Sequence, residues 1–121
     1  MTASNYTYSM GTSIDECDKQ ERNDVAYSRC LDSVKESVDR ELQTWINNQV
    51  FVLEELAMKT GRHSALKMFK RSQRDFIKFR ENNCRWQYLA VSPHPDASKA
   101  YKKCYIETSN ARIKELSKLS Q

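Results

Sequence analysis

The chain has 121 residues, enough for one domain, with 39% hydrophobic and 30% charged residues and a net charge of +4. Those proportions support a single modest core. Two glycines and two prolines in the whole chain exclude sandwiches and barrels, which need a Gly-, Pro- or Asn-built turn every ten residues or so.

Met1 to Ile14 carries small polar residues without periodicity and reads as a disordered arm or a non-native remnant, with the domain spanning residues 15–121. It has neither a basic start nor an apolar run, so no signal peptide is visible, and an exported protein would already have lost its leader. Asp15 to Asp18 opens the ordered part, and a polar stretch follows to Asn23. Asn23 or Asp24 is placed to cap a helix. From there apolar residues recur, mostly three or four apart, at Tyr27, Cys30, Leu31, Val34, Val38, Leu42, Trp45, Ile46, Leu53 and Leu56, which predicts one long helix. Val50 to Leu53 has strand propensity but lies inside that unbroken period. Thr60-Gly61 stops the helix, with Lys59 well placed in the last turn.

A second long helix is predicted from Ser64, as N-cap, to about Ala90. Leu66, Phe69, Gln73, Phe76, Ile77, Arg80 and Cys84 share one of its faces. Ser92 to Asp96 is the one clear loop. A third helix follows from about Ala97 to Leu119, with Ala97, Tyr101, Cys104, Thr108, Arg112, Leu116 and Leu119 turned inward. The fold class is therefore all-α: a small antiparallel three-helix domain, one long helix plus a helical hairpin.

Cys17, Cys30, Cys84 and Cys104 are widely spaced, with no CxxC and no histidine beside them. Zinc needs close paired ligands, so no metal site is expected, and two disulfides suit the spacing better. If the second and third helices form a hairpin, Cys84 and Cys104 face each other at similar heights. Cys17 and Cys30 then close a local loop. The pairing Cys17–Cys104 with Cys30–Cys84 stays open.

Charge is segregated along the chain. Residues 1–60 hold 11 acidic and 6 basic side chains, and residues 61–121 hold 5 acidic and 14 basic ones. One reading is internal complementarity between an acidic first helix and two basic ones. The other is a cationic stripe, Lys67, Arg71, Arg74, Lys78 and Arg85, about 100° round the second helix from its core face, that meets an anionic partner. Nucleic acid is not the expected partner: most aromatics, Phe79 and Trp86 apart, fall at core-facing positions, and disulfides place the chain away from nucleic acid. No stretch approaches the roughly 18 apolar residues of a membrane span.

Nothing in the chain resembles catalytic machinery. His63 and His94 stand alone, the acidic residues of the first helix (Asp32, Glu36, Asp39, Glu41) spread at ordinary surface spacing, and no Gly-rich phosphate loop exists. The expectation is a non-enzyme without cofactors. Gln73, Arg80 and Arg112 fall among apolar neighbours. Buried arginine requires partners, and Asp39 is the first candidate, Glu41 the second. These residues form either an internal polar network that fixes helix register or the lining of a shallow groove.

Several of these positions form a longer pattern. Cys17 and Cys30 are followed by Asp39-x-x-Leu42, then by Gln73, Phe76, Arg80 and Cys84, and finally by Cys104, Thr108, Arg112 and Leu116. Over about residues 15–119 this resembles the bacterial LprI-type lysozyme-inhibitor family, with Phe76 where the family usually has Trp. The resemblance implies a helical, disulfide-bonded, periplasmic or secreted protein whose partner is a protein, a cell-wall hydrolase. Animal lysozymes are basic. Either the acidic first helix is therefore the contact, or the target is a more acidic wall hydrolase, such as a toxin against which this chain would act as an immunity protein. Lys67, Arg71, Arg74 and Lys78 are candidate contacts, as are His94 and Asp96 in the projecting loop. The alternative is an envelope structural or stress factor that holds anionic wall or lipid material on the basic helix face.

Overall fold

In a computed structural model of the protein, residues 13–119 are described. Four helices run in order: α1 (Ile14–Asp18), α2 (Asp24–Thr60), α3 (Ser64–Val91) and α4 (Asp96–Leu119). No strand occurs among the described residues. Of the expected arm, residues 1–12 lie outside the described residues. Ser13 and Ile14 instead belong to the fold, since Ser13 caps α1 by accepting a hydrogen bond from the Glu16 N–H at 3.2 Å. This five-residue helix was not expected. It is too short to stand alone, because a helical nucleus costs more than a single turn returns. Its Cys17 bond to Cys30 holds it on α2.

The 37 residues of α2 are unbroken. Asn23 is its N-cap, and its side-chain oxygen accepts from the Ala26 N–H at 3.0 Å. Gly61 ends it in the left-handed region at φ 73°, where its N–H reaches the Ala57 carbonyl. The Val50–Leu53 segment is helical, as its period demanded. The expected cap of α3 is corrected by one position. Ser64 is already helical, and His63 occupies the cap site without a side-chain bond.

Polar cross-links fix the packing directions. Lys99 reaches Asp24, Lys102 reaches Ser28 and Asp32, and Tyr105 reaches Asp39, so α4 runs parallel to α2. Arg112 meets Gln73, Arg80 meets Ser109, and Cys84 is bonded to Cys104, so α4 runs antiparallel to α3. The core fills the seam between α2 and α4: Leu31, Val34, Val38 and Leu42 against Ile106, Ile113 and Leu116, with Phe69 and Phe76 of α3 packed on its flank. Each fully buried Leu or Ile here contributes about 2 kcal/mol.

The inward face of α4 is wider than the expected one. Of the expected set Ala97, Cys104 and Leu116 are buried, and Ile106, Ile113 and Ser109 are buried besides, the isoleucines in the core with α2 and Ser109 against Arg80 of α3. Helix α4 is thus covered on two sides. Leu119 and Ile77, expected inside, are substantially exposed.

From the Tyr105–Asp39 bond onward α2 runs to Thr60 and α4 only to Leu119, so α2 extends about 10 Å beyond α4. The apolar stripe of α2 runs out of the core toward that end. Val52 and Leu56 are 46% and 44% exposed there, although they prolong the stripe that α4 covers lower down.

Candidate functional site

The pattern residues converge on Tyr105. From α4 its hydroxyl donates to Asp39 Oδ1 of α2 at 2.7 Å. The Arg80 guanidinium of α3 lies over its ring, 4.0 Å from the centroid, and the Lys35 ammonium of α2 lies at 4.3 Å. One side chain therefore joins all three long helices. Burial, reinforced by the carboxylate of Asp39, pushes the Tyr105 phenol up to about 12, and Arg80 opposes that rise. The phenol accordingly stays protonated at neutral pH and acts as a donor.

Arg80 also donates from Nη1 to the buried Ser109 hydroxyl at 3.1 Å. Arg112 donates from Nε to Gln73 at 3.2 Å and from Nη1 to Glu115 at 2.9 Å. Phe76 sits near both guanidiniums, 5.4 Å from Arg80 and 5.6 Å from Arg112. A cation over a desolvated ring is worth up to about 2 kcal/mol, and a planar guanidinium suits it better than an ammonium. The expected Asp39–arginine pair does not form: Asp39 is taken by Tyr105, and Glu41 is exposed. Among the described residues Arg80 has no carboxylate within 4.0 Å. Its charge is held by aromatic faces and a hydroxyl instead.

Beside this network lies a cleft of about 220 Å³ lined by Asp39, Leu42, Gln43, Ile46, Gln73, Ile77, Arg80 and Tyr105. It is small, and its polar groups are turned toward one another. Among the described residues no group of three or more His, Cys, Asp or Glu side chains could hold a metal ion, and no helix is long and apolar enough to cross a membrane.

The acidic part of α2 finds its counter-charges on α4. Lys99 pairs with Asp24 at 2.7 Å, Lys102 with Asp32 at 2.9 Å, and Lys103 with Asp18 of α1 at 3.7 Å. Lys99 holds the Asp24 carboxyl below the usual range, through a hydrogen bond and its charge. Lys67, Arg71, Arg74 and Lys78 on α3 are different. All four are exposed, and none has a carboxylate within 4.0 Å among the described residues. Arg85, grouped with them from the sequence, pairs with Glu81 at 3.4 Å. At the far end, His94 and Asp96 are exposed and satisfied locally: His94 Nδ1 accepts from the Asp96 N–H at 3.1 Å, and Asp96 pairs with Lys99 at 3.3 Å. The loop and the cationic stripe are thus separate features, on opposite sides of the disulfide-bonded body.

Tyr105, Ser109, Ser72 and Glu115 carry the network alongside the residues expected for it, and the sequence reading missed them. A signal was present. Lys102, Ile106, Ser109, Ile113 and Leu116 recur at the alternating four-and-three spacing of a buried helical seam, but a lysine and a serine disguised it.

The two disulfides, Cys17–Cys30 and Cys84–Cys104, have Cα separations of 5.5 and 5.4 Å, and both lie toward the end where α2 and α4 begin. A family model described as lysozyme inhibitor LprI matches residues 17–116, nearly the whole described chain. The chain belongs to the LprI lysozyme-inhibitor family. A search of the curated proteins and one of the solved structures found no match. The LprI match begins at the first disulfide cysteine and ends at the last buried leucine of α4, so it covers both staples and the whole Tyr105 network. What the network can do chemically is hold three helices in register. It offers no nucleophile paired with a base.

Proposed function

We propose that the protein is a non-catalytic, extracytoplasmic inhibitor that docks on a muramidase-type cell-wall hydrolase. The LprI match over residues 17–116 carries this reading. Two disulfides fit an oxidising compartment. Long helices held by two disulfides suit a binder, because a pre-organised surface loses less entropy on association. The unpaired cations Lys67, Arg71, Arg74 and Lys78 favour a target that presents acidic surface to them. A wall-cutting toxin of that character would make this chain an immunity protein.

The test is a titration of the oxidised protein against an animal lysozyme and a set of bacterial muramidases of differing charge. Inhibition at near-stoichiometric ratios is the expected outcome. Full lytic activity throughout at large molar excess would sink the reading. A second reading, attachment to anionic wall or lipid material, is favoured by one observation: Met68, Phe79 and Trp86 are exposed on α3 near the cations. Salt-sensitive co-sedimentation with peptidoglycan or anionic vesicles, without any inhibition, would select it.

A further inference from the structure

The two ends of the molecule carry different chemistry. At the α3–α4 end, the loop presents Asp96, already engaged by Lys99. At the other end, the α2–α3 hairpin turns at Gly61, and its apex projects past the end of α4 among the described residues. From Leu56 to Arg74 the tip contains six cations, Lys59, Arg62, Lys67, Lys70, Arg71 and Arg74, and no carboxylate. None of the six has an acidic partner within 4.0 Å among the described residues. Met58 and Met68, about one turn back from the apex on either helix, are 84% and 59% exposed.

We infer that this hairpin tip is the inhibitory element and that it occupies the substrate groove of the target hydrolase. The inference rests on the inhibitor reading above. Glycoside hydrolysis of the muramidase type uses a pair of Asp or Glu residues flanking the scissile bond. The groove that holds the substrate is therefore acidic at its centre even on an enzyme whose overall charge is basic. Arg62, at the apex beside Gly61, is the cation best placed to meet those carboxylates. Its side chain is free, and only its backbone N–H is engaged, by Thr60 Oγ1 at 3.1 Å. Lys59 and Lys67 flank it one turn down, and the exposed methionines supply adaptable apolar contact for the groove walls. The α3–α4 loop is excluded from this role by Asp96, whose carboxylate would face like charges.

The experiment uses the native oxidised chain, an animal lysozyme and bacterial muramidases, and a soluble N-acetylglucosamine oligomer as substrate. Competitive inhibition is expected, with KM raised and kcat unchanged. In the variant K59E/R62E/K67E the inhibition constant should rise about ten-fold or more. The exposed α4 charge changes K114E/K118E should leave it within about two-fold of the native value. Non-competitive kinetics, or a tip variant as potent as the native chain, overturns the groove assignment and leaves the inhibitor reading standing. Absence of inhibition by the native chain overturns both. The kinetic pattern is read on the native protein, so it decides the matter even if the triple variant folds poorly.

Discussion

Arg80 illustrates how a partly buried charge can be kept without an ion pair. Its replacement leaves no carboxylate stranded, so the loss is limited to the Ser109 bond and the stacking on Tyr105 and Phe76. Arg80→Ala should therefore cost about 2–3 kcal/mol, measurable as a fall in the thermal midpoint. Arg80→Lys should recover little, since an ammonium cannot reproduce planar stacking. Tyr105 gives a pH signature. Its pKa rises from 10.0 in the unfolded chain to about 12 in the fold. The protonated phenol's contribution is thus complete below pH 10 and is lost as pH climbs toward 12. Stability measured by denaturant titration should fall across that window, and Tyr105→Phe should flatten most of the slope. Burial also raises Tyr27 and Tyr101, so some alkaline loss remains in the variant.

Among the elements, the staples and the hairpin turn behave differently. Removing Cys84–Cys104, which spans 20 residues, should cost about 3 kcal/mol and lower the midpoint of the whole domain. Removing Cys17–Cys30 should free α1, detectable as faster amide exchange at residues 14–18, while α2 to α4 stay assembled. Gly61→Ala should cost about 1 kcal/mol from its positive φ alone, because an added Cβ would meet nothing within 4 Å. Gly61→Asn should cost less. Much of this level was legible in the residues. The α2 period, the Asn23 cap and the Gly61 stop are local signals, and local physics decided them. The second buried strip of α4 was obscured because Lys102 and Ser109 occupy positions where only burial against another helix reveals a seam. The partner of Asp39 was unreadable for a related reason: Tyr105 is 66 residues away, and only helix register brings the two together.

For the whole molecule, the decisive point is which charges survive folding unpaired. Net charge pointed to an anionic partner, and segregation along the chain pointed equally to internal pairing. Both hold, on different helices: Lys99, Lys102 and Lys103 of α4 pair with α1 and α2, and Lys67, Arg71, Arg74 and Lys78 of α3 stay unpaired among the described residues. Association with an acidic target should therefore slow as salt rises from about 0.01 to 0.15 M, as screening shortens from about 30 to 8 Å. Stopped-flow mixing would show this as a falling association rate with a nearly constant dissociation rate. Composition alone could not have located that surface, because it depends on which side chains meet.

The positions of the staples have a further consequence. Each disulfide closes a loop within its own half of the chain, one before Gly61 and one after it. Only the peptide backbone at the hairpin apex joins the halves covalently. A single proteolytic cut between Arg62 and His63 would leave two non-covalently held fragments, which a non-reducing denaturing gel would separate. The halves carry opposite net charge, 11 acidic against 6 basic residues in the first sixty and 5 against 14 in the rest. Made as separate polypeptides they should attract and reassemble, so the protein is suited to use as a split pair whose reunion restores the helical domain.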